Sequence, residues 1–234
     1  MSQSRLDLLE SGTRDEDLEA AKADGANIVE LGQRLNPIPF NGIQHSDDDG
    51  GEDHSDDHGS EDPHLWLDPL RMAEAARIVA SELSAVVPDP DWASRAEAYG
   101  AELLAADDEI QAILAVVPGE SRKLVTNHSS LGYFADRYGF EVIGTVVPGG
   151  STLGDPSSAE LAELVAELDD ERVTAIFAET TEPAALAEAV AAEVGENIAV
   201  VDLYTGSLGE PGSGAETLIG MLVTNATLIA EALS

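Results

Sequence analysis

Five histidines carry most of the chemistry this chain can offer. His45, His54 and His58 stand in a run of Asp, Glu, Gly and Ser, HSDDDGGEDHSDDHGSED, with no apolar residue from which to build a core. Imidazole and carboxylate are the side chains that borderline and hard divalent metals take. The run ends in Asp62-Pro63-His64-Leu65-Trp66-Leu67-Asp68-Pro69, which sets His64 beside a Trp and two Leu, between two prolines. A metal-attracting loop that runs into a fixed histidine suggests a protein that collects metal ions. The plainer reading of His45, His54 and His58 is a solubilising loop, and of Trp66 simple packing.

Three further candidates stand where short apolar runs end. Leu124-Val125-Thr126-Asn127 leads into His128, Ile176-Phe177-Ala178 into Glu179, and Ala199-Val200-Val201 into Asp202. Each run reads as a strand followed by a helix. Strand 124–126 precedes helix 130–138, strand 142–146 precedes helix 158–168, strand 173–178 precedes helix 184–194, and strand 198–201 precedes helix 215–233. Apolar runs separated by amphipathic helices predict a parallel sheet wrapped by helices. Ligands of such sheets bind beyond the carboxyl ends of the strands. His128, Glu179 and Asp202 would then project from one edge. With His64 they make two imidazoles and two carboxylates, a set within the repertoire of zinc. Taken singly, each has another reading. His128 could be a hydrogen-bonded loop residue, and Asp202 could start a turn. Glu179 could cap the next helix or accept a hydrogen bond from a ligating histidine. Asn127-His128-Ser129 also matches a glycosylation sequon, a pattern common by chance.

The elements before the alternating region are of another kind. Residues 69–117 are helical in pattern, with Ala75, Ile78, Val79 and Leu83 at helix spacing. Pro88 and Pro90 break the run, Asp91 is placed to cap a second helix through Leu114, and Pro118-Gly119 ends it. That second helix could act as a strut, and exposed apolar surface on it would favour dimerisation. Residues 6–9 read as a helical scrap and 26–31, ANIVEL, as a strand, too little to make a sheet. The expected division is 1–68 with the His/Asp-rich loop 45–61, then a helical region 69–118, then an α/β unit 119–234.

Composition excludes several functions. Forty-six acidic residues face 11 basic ones, a formal net charge of -35, and the acid is spread over the whole chain. The plain reading is a solvated surface suited to high salt. Binding to nucleic acid or to anionic membrane through basic patches is not expected on this charge. No cysteine is present, so disulfides, thiolate metal sites and cysteine nucleophiles are excluded. No apolar run spans a bilayer, and no signal peptide precedes Ser2-Gln3-Ser4-Arg5.

Asp62 to Pro69 resembles the D-P-H-x-W-L-D-P signature of zinc- and manganese-type solute-binding proteins of ABC transporters. A His/Asp-rich loop just before that signature looks like the zinc-uptake branch. The stretch Val125 to Phe134, then Ile176 to Glu179, then Val201 to Gly209 are similar to further family segments, in the family's order. The resemblance implies a two-lobed α/β protein joined by a long helix, with the metal between the lobes. His64 would come from the first lobe, His128 and Asp202 from the second, with Glu179 close by. Manganese-type relatives tend to carry Glu where His128 stands, so the histidine favours Zn2+ over Mn2+. The implied role is extracytoplasmic or cell-surface capture of zinc and its delivery to an ABC transporter permease, without catalysis. The family's first histidine has no match before His45, so a shortened first lobe, lacking its export signal, is the expectation. A zinc hydrolase would need an open metal position and a base such as Glu179, but no H-E-x-x-H helix is present. A surface adhesin or a non-functional fragment binding zinc only through the loop is the remaining alternative.

Overall fold

The computed structural model describes residues 23, 25, 28–40, 61–147, 157–181, 183–195 and 198–234. The helical scrap at 6–9 and the loop histidines His45, His54 and His58 lie outside the described residues.

Helix α1, Pro69–Val86, starts where the sequence prescribes. The Asp68 side chain accepts the Leu70 N–H at 2.8 Å and the Arg71 N–H at 3.4 Å, while Pro69 sits in the first turn with no N–H to satisfy. Helix α2, Trp92–Leu114, is 23 residues long, about 34 Å of rod. Asp91 does not cap it through its side chain. The Asp89 carboxylate instead accepts the Asp91 N–H at 2.8 Å, so the Pro-flanked turn holds itself and leaves Asp91 in a helical conformation. Helices α1 and α2 pack along one another.

Four parallel strands follow: β1 Lys123–Thr126, β2 Glu141–Thr145, β3 Ala175–Glu179 and β4 Ala199–Leu203. Between and after them run α3 Gly132–Tyr138, α4 Ser158–Asp170, α5 Ala185–Val194 and α6 Leu218–Leu233. The sheet order is β2-β1-β3-β4, all parallel. Alternation along the strands divides the core in two. Leu124, Phe177 and Leu203 enter one layer with Ile110 and Leu114 of α2, Phe134 of α3 and Ile229 of α6. Val125, Ile176 and Ala178 enter the other with Leu164 and Leu168 of α4 and Val190 of α5. Strand β3, covered on both sides, has no exposed residue.

Local signals place the helix ends. Ser157 and Glu160 form a reciprocal capping box that starts α4. Gly139, at φ +68°, takes the left-handed conformation that terminates α3. Thr217 accepts the Gly220 N–H at 3.1 Å, so α6 starts at Leu218 rather than at Ala215.

The strand expected at 26–31 does not form over its described residues, 28–31. A strand needs a neighbour for its N–H and C=O groups. The described residues offer none beyond the single bridge between Pro39 and Glu61. Val29 and Leu31 pack instead with Leu35, Ala75 and Ile78 against α1. No helix among the described residues is long and apolar enough to cross a membrane.

Candidate metal centre

The strand order locates the site. The chain leaves β1 toward β2 on one side, then crosses back to lay β3 on the other side of β1. Loops leaving the carboxyl ends of β1 and β3 therefore diverge and open a crevice between them. His128 lies in the first loop, and Glu179 is the last residue of β3.

The loop after β1 is held tightly. Asn127 N–H reaches the Phe177 carbonyl at 3.0 Å, and the His128 carbonyl accepts from Thr126 Oγ1 at 2.7 Å and from the Ser130 N–H at 2.8 Å. His128 is 9% exposed and Glu179 3%. Glu179 Oε1 stands 2.5 Å from His128 Nδ1 and accepts Ser130 Oγ at 3.2 Å. Asn127 is buried as well, which removes it as a glycosylation acceptor.

His64 arrives from the segment that leads into α1. Asp62 Oδ1 accepts the His64 backbone N–H at 2.8 Å and faces the His64 ring at Nδ1, 2.7 Å away. A short 3-10 turn, Leu65–Leu67, drives Leu67 into the core and hands the chain to the Asp68 cap. Trp66 Nε1 donates to the Thr205 carbonyl at 2.8 Å, pinning this segment to the loop after β4. The Trp66 ring meets His64 edge-on, with centroids 5.4 Å apart.

The two imidazoles meet at Nε2, with a separation of 3.3 Å. Each Nδ1 faces a carboxylate, Asp62 behind His64 and Glu179 behind His128. The Asp62 hydrogen bond at His64 Nδ1 fixes the Nδ1–H tautomer of that ring and leaves its Nε2 as an acceptor, while Glu179 lies at ion-pair distance from His128 Nδ1. With His64 Nε2 an acceptor, the close approach of the two Nε2 atoms is satisfied by a proton on His128 Nε2 or by a cation between the rings. The separation also suits a specific geometry. Two corners of a tetrahedron around zinc, at Zn–N of about 2.0–2.1 Å, lie about 3.3–3.4 Å apart.

Of the residues singled out in the sequence, His64, His128 and Glu179 come together. Asp202 does not. It lies inside β4, exposed, in register with Ala178, while Leu203 pairs with Glu179. Alternation turns Asp202 to the opposite face of the sheet from Glu179. Among the described residues no group of three or more His, Asp or Glu is arranged as a metal cage. Glu179 stands behind a histidine, as an orienting acceptor does. Asp62 has the same position behind His64. The sequence motif contains it, but only the turn that folds it back on His64 reveals its contact.

Comparison with known proteins shows the family. The family model described as "Zinc-uptake complex component A periplasmic" matches residues 8–232. The manganese-binding lipoprotein MntA of Halalkalibacterium halodurans is 32% identical over 213 residues, covering 89% of this chain and 64% of that protein. The zinc-binding protein TroA of Treponema pallidum is 31% identical over 179 residues, covering 74% of this chain and 58% of that protein. The chain thus spans about six tenths of the length of these curated relatives. The solved structure of the periplasmic zinc-binding TroA superposes with a TM-score of 0.76 at 26% identity, covering 94% of this chain and 76% of that one. A ZnuA deletion mutant with zinc bound gives 0.72 at 28% identity, covering 94% and 73%.

Proposed function

The chain belongs to the periplasmic zinc-uptake complex component A family, and from that premise we propose that it captures Zn2+ outside the cytoplasm and delivers it to the permease of an ABC transporter. One observation carries the reading: two Nε2 atoms 3.3 Å apart, each imidazole backed at Nδ1 by a buried carboxylate. His64 and His128 are the proposed ligands, with Asp62 and Glu179 orienting them. His64 belongs to the segment before α1 and His128 to the loop after β1. Any motion that parts those elements breaks the pair and frees the ion. Capture and release make and break only zinc–ligand bonds, so the role proposed is carriage.

Zinc is favoured over manganese because imidazole suits zinc, whereas manganese prefers carboxylate, carbonyl and water. The division of labour with the loop follows from its composition. His45, His54 and His58 supply weak, multivalent binding that raises the local zinc concentration, and the ordered pair supplies the tight site.

The test is zinc titration calorimetry at high salt on the full chain and on a variant lacking residues 45–61. One tight site that survives the deletion is expected. Zinc binding that is weak throughout and vanishes with the loop would sink the reading.

A surface suited to high salt is the second half of the proposal. At a net charge of -35, self-repulsion opposes the folded state until counter-ions screen it. The Debye length falls from about 10 Å at 0.1 M salt to about 3 Å at 1 M. The unfolding temperature is therefore expected to rise as sodium chloride is raised across that range. A flat or falling midpoint in a thermal scan would count against it.

A further inference from the structure

We infer that Tyr133, with Gly132 beside it, is a positioning residue for metal capture: from the first turn of α3 it holds Asp62, and Asp62 aims His64 at His128. The inference rests on the metal-capture reading and assigns the element that prepares the site.

Tyr133 is 1% exposed. Its hydroxyl donates to the Asp62 carbonyl at 2.9 Å and accepts the Ile38 N–H at 3.3 Å. Asp62 N–H in turn donates to the Ile38 carbonyl at 2.9 Å. One phenol thus ties together two stretches of chain that are distant in sequence, and it does so at the residue whose carboxylate faces His64. A phenol is protonated at neutral pH, and burial raises this one further, so its hydroxyl is a donor. The Arg71 guanidinium lies over the ring, 4.6 Å from its centroid, and Arg71 also donates to the Leu35 and Asn36 carbonyls at 3.2 Å each. The ring is therefore fixed from above as well.

Gly132 supplies the room. A Cβ at this position would collide with Asp62 Oδ2, the carboxylate oxygen not used on His64. Any larger residue must rotate that carboxylate, and rotation moves Oδ1 away from His64 Nδ1. Gly132 and Tyr133 follow His128 by only a few residues. One short stretch of chain therefore presents the second histidine and orients the first, so the pair is aligned before an ion arrives.

The decisive variant is Tyr133→Phe in the full chain, which keeps the ring under Arg71 and removes only the hydroxyl. Two readouts are taken, with circular dichroism as the control for folding. In the metal-free protein, imidazole nitrogen shifts should show His64 as the Nδ1–H tautomer, and a mixture of tautomers in the variant. Zinc affinity by chelator competition should fall about tenfold, the usual lower effect of removing an orienting partner. In an Asp62→Ala background the same Tyr133→Phe change should add no further loss of affinity, because the tyrosine acts through Asp62. Unchanged tautomer and affinity, or losses that simply add, would overturn the inference. Gly132→Ala is the second variant. It leaves every Tyr133 hydrogen bond available, and it should lower affinity to a similar degree. An unchanged affinity there would overturn the inference even if Tyr133→Phe failed to fold. Wild-type protein that shows the His64 tautomer yet takes no zinc would defeat the functional reading, an outcome distinct from these.

Discussion

Replacing His64 or His128 with alanine should lower zinc affinity by about 100-fold or more, equivalent to about 2.7 kcal/mol or more of binding free energy. The described residues bring two nitrogens together, 3.3 Å apart, so losing either leaves one imidazole, which is no longer a chelating site. The double variant should therefore bind little worse than either single one, because the pair acts as a unit. Neither ring belongs to a hydrophobic core cluster, so the fold should survive both changes. Asp202→Ala is the internal contrast. That residue is exposed and faces away from Glu179 across the sheet, so its removal should leave zinc affinity unchanged. Titration calorimetry of the four proteins beside the wild type decides the matter. Full affinity in either single histidine variant would refute the two-imidazole site, and a large loss in Asp202→Ala would restore Asp202 as a ligand.

The largest expected effect on stability lies away from the metal, where α2 meets α3. Asp107 of α2 is 4% exposed. It accepts Arg137 Nε at 2.9 Å, the Tyr138 hydroxyl at 3.0 Å and Gln111 Nε2 at 2.8 Å, with a second bond from the Arg137 guanidinium. Asp107→Ala would strand a guanidinium and a phenol at once. The expected cost is about 3 kcal/mol, the lower end for breaking a buried pair, because Arg137 keeps 25% of its side chain in water. Urea denaturation should show the midpoint fall, and an unchanged midpoint would mean water replaces the carboxylate without loss.

The same group sets a pH dependence. Burial alone would raise the Asp107 carboxyl. The hydrogen bonds from Arg137 and Tyr138, the Arg137 charge and the Gln111 hydrogen bond outweigh burial and hold it below its ordinary value of 3.8. A carboxyl depressed in the folded state stabilises above its unfolded value, and that contribution is lost as pH falls through the folded one. The stability gap between wild type and Asp107→Ala should therefore be full at neutral pH and close below about pH 4. A gap that persists in strong acid would show that the carboxylate charge is not its source. Tyr138 shares the network. Burial first, and then the neighbouring Asp107, push its phenol well above the usual range, so it remains a donor throughout.

Much of this protein was legible in its residue order. The alternation of apolar runs and amphipathic helices after residue 123 gave the parallel sheet, because buried strands and two-faced helices leave different periods in a sequence. Helix ends were less legible: Asp91, the cap read from the sequence, makes no side-chain cap, whereas Asp68, Ser157 and Gly139 set helix ends that the periodicity did not single out. Three of the four proposed site residues, His64, His128 and Glu179, were identifiable because chemistry-bearing side chains at strand ends and in a Pro-bounded turn are few.

The rest depended on tertiary structure. Strand β4 reads in sequence as ending at Val201, which would leave Asp202 free at the sheet edge. It runs to Leu203, so Asp202 sits inside the strand. An error of two residues at a strand end is enough to misplace a side chain, since alternate residues point to opposite faces. Residues 28–31 have the composition of a strand but no neighbouring strand among the described residues, and a ladder cannot be read from one of its sides. Asp62 and Tyr133 carry no signal of their own, because what they do depends on a turn and on a contact between residues 71 apart in the chain. The sequence determined which side chains were available to hold an ion. Their meeting at 3.3 Å was decided only when the sheet order β2-β1-β3-β4 opened its crevice beside β1 and the packing of α1 brought His64 to it, because local periodicity specifies elements and not their neighbours.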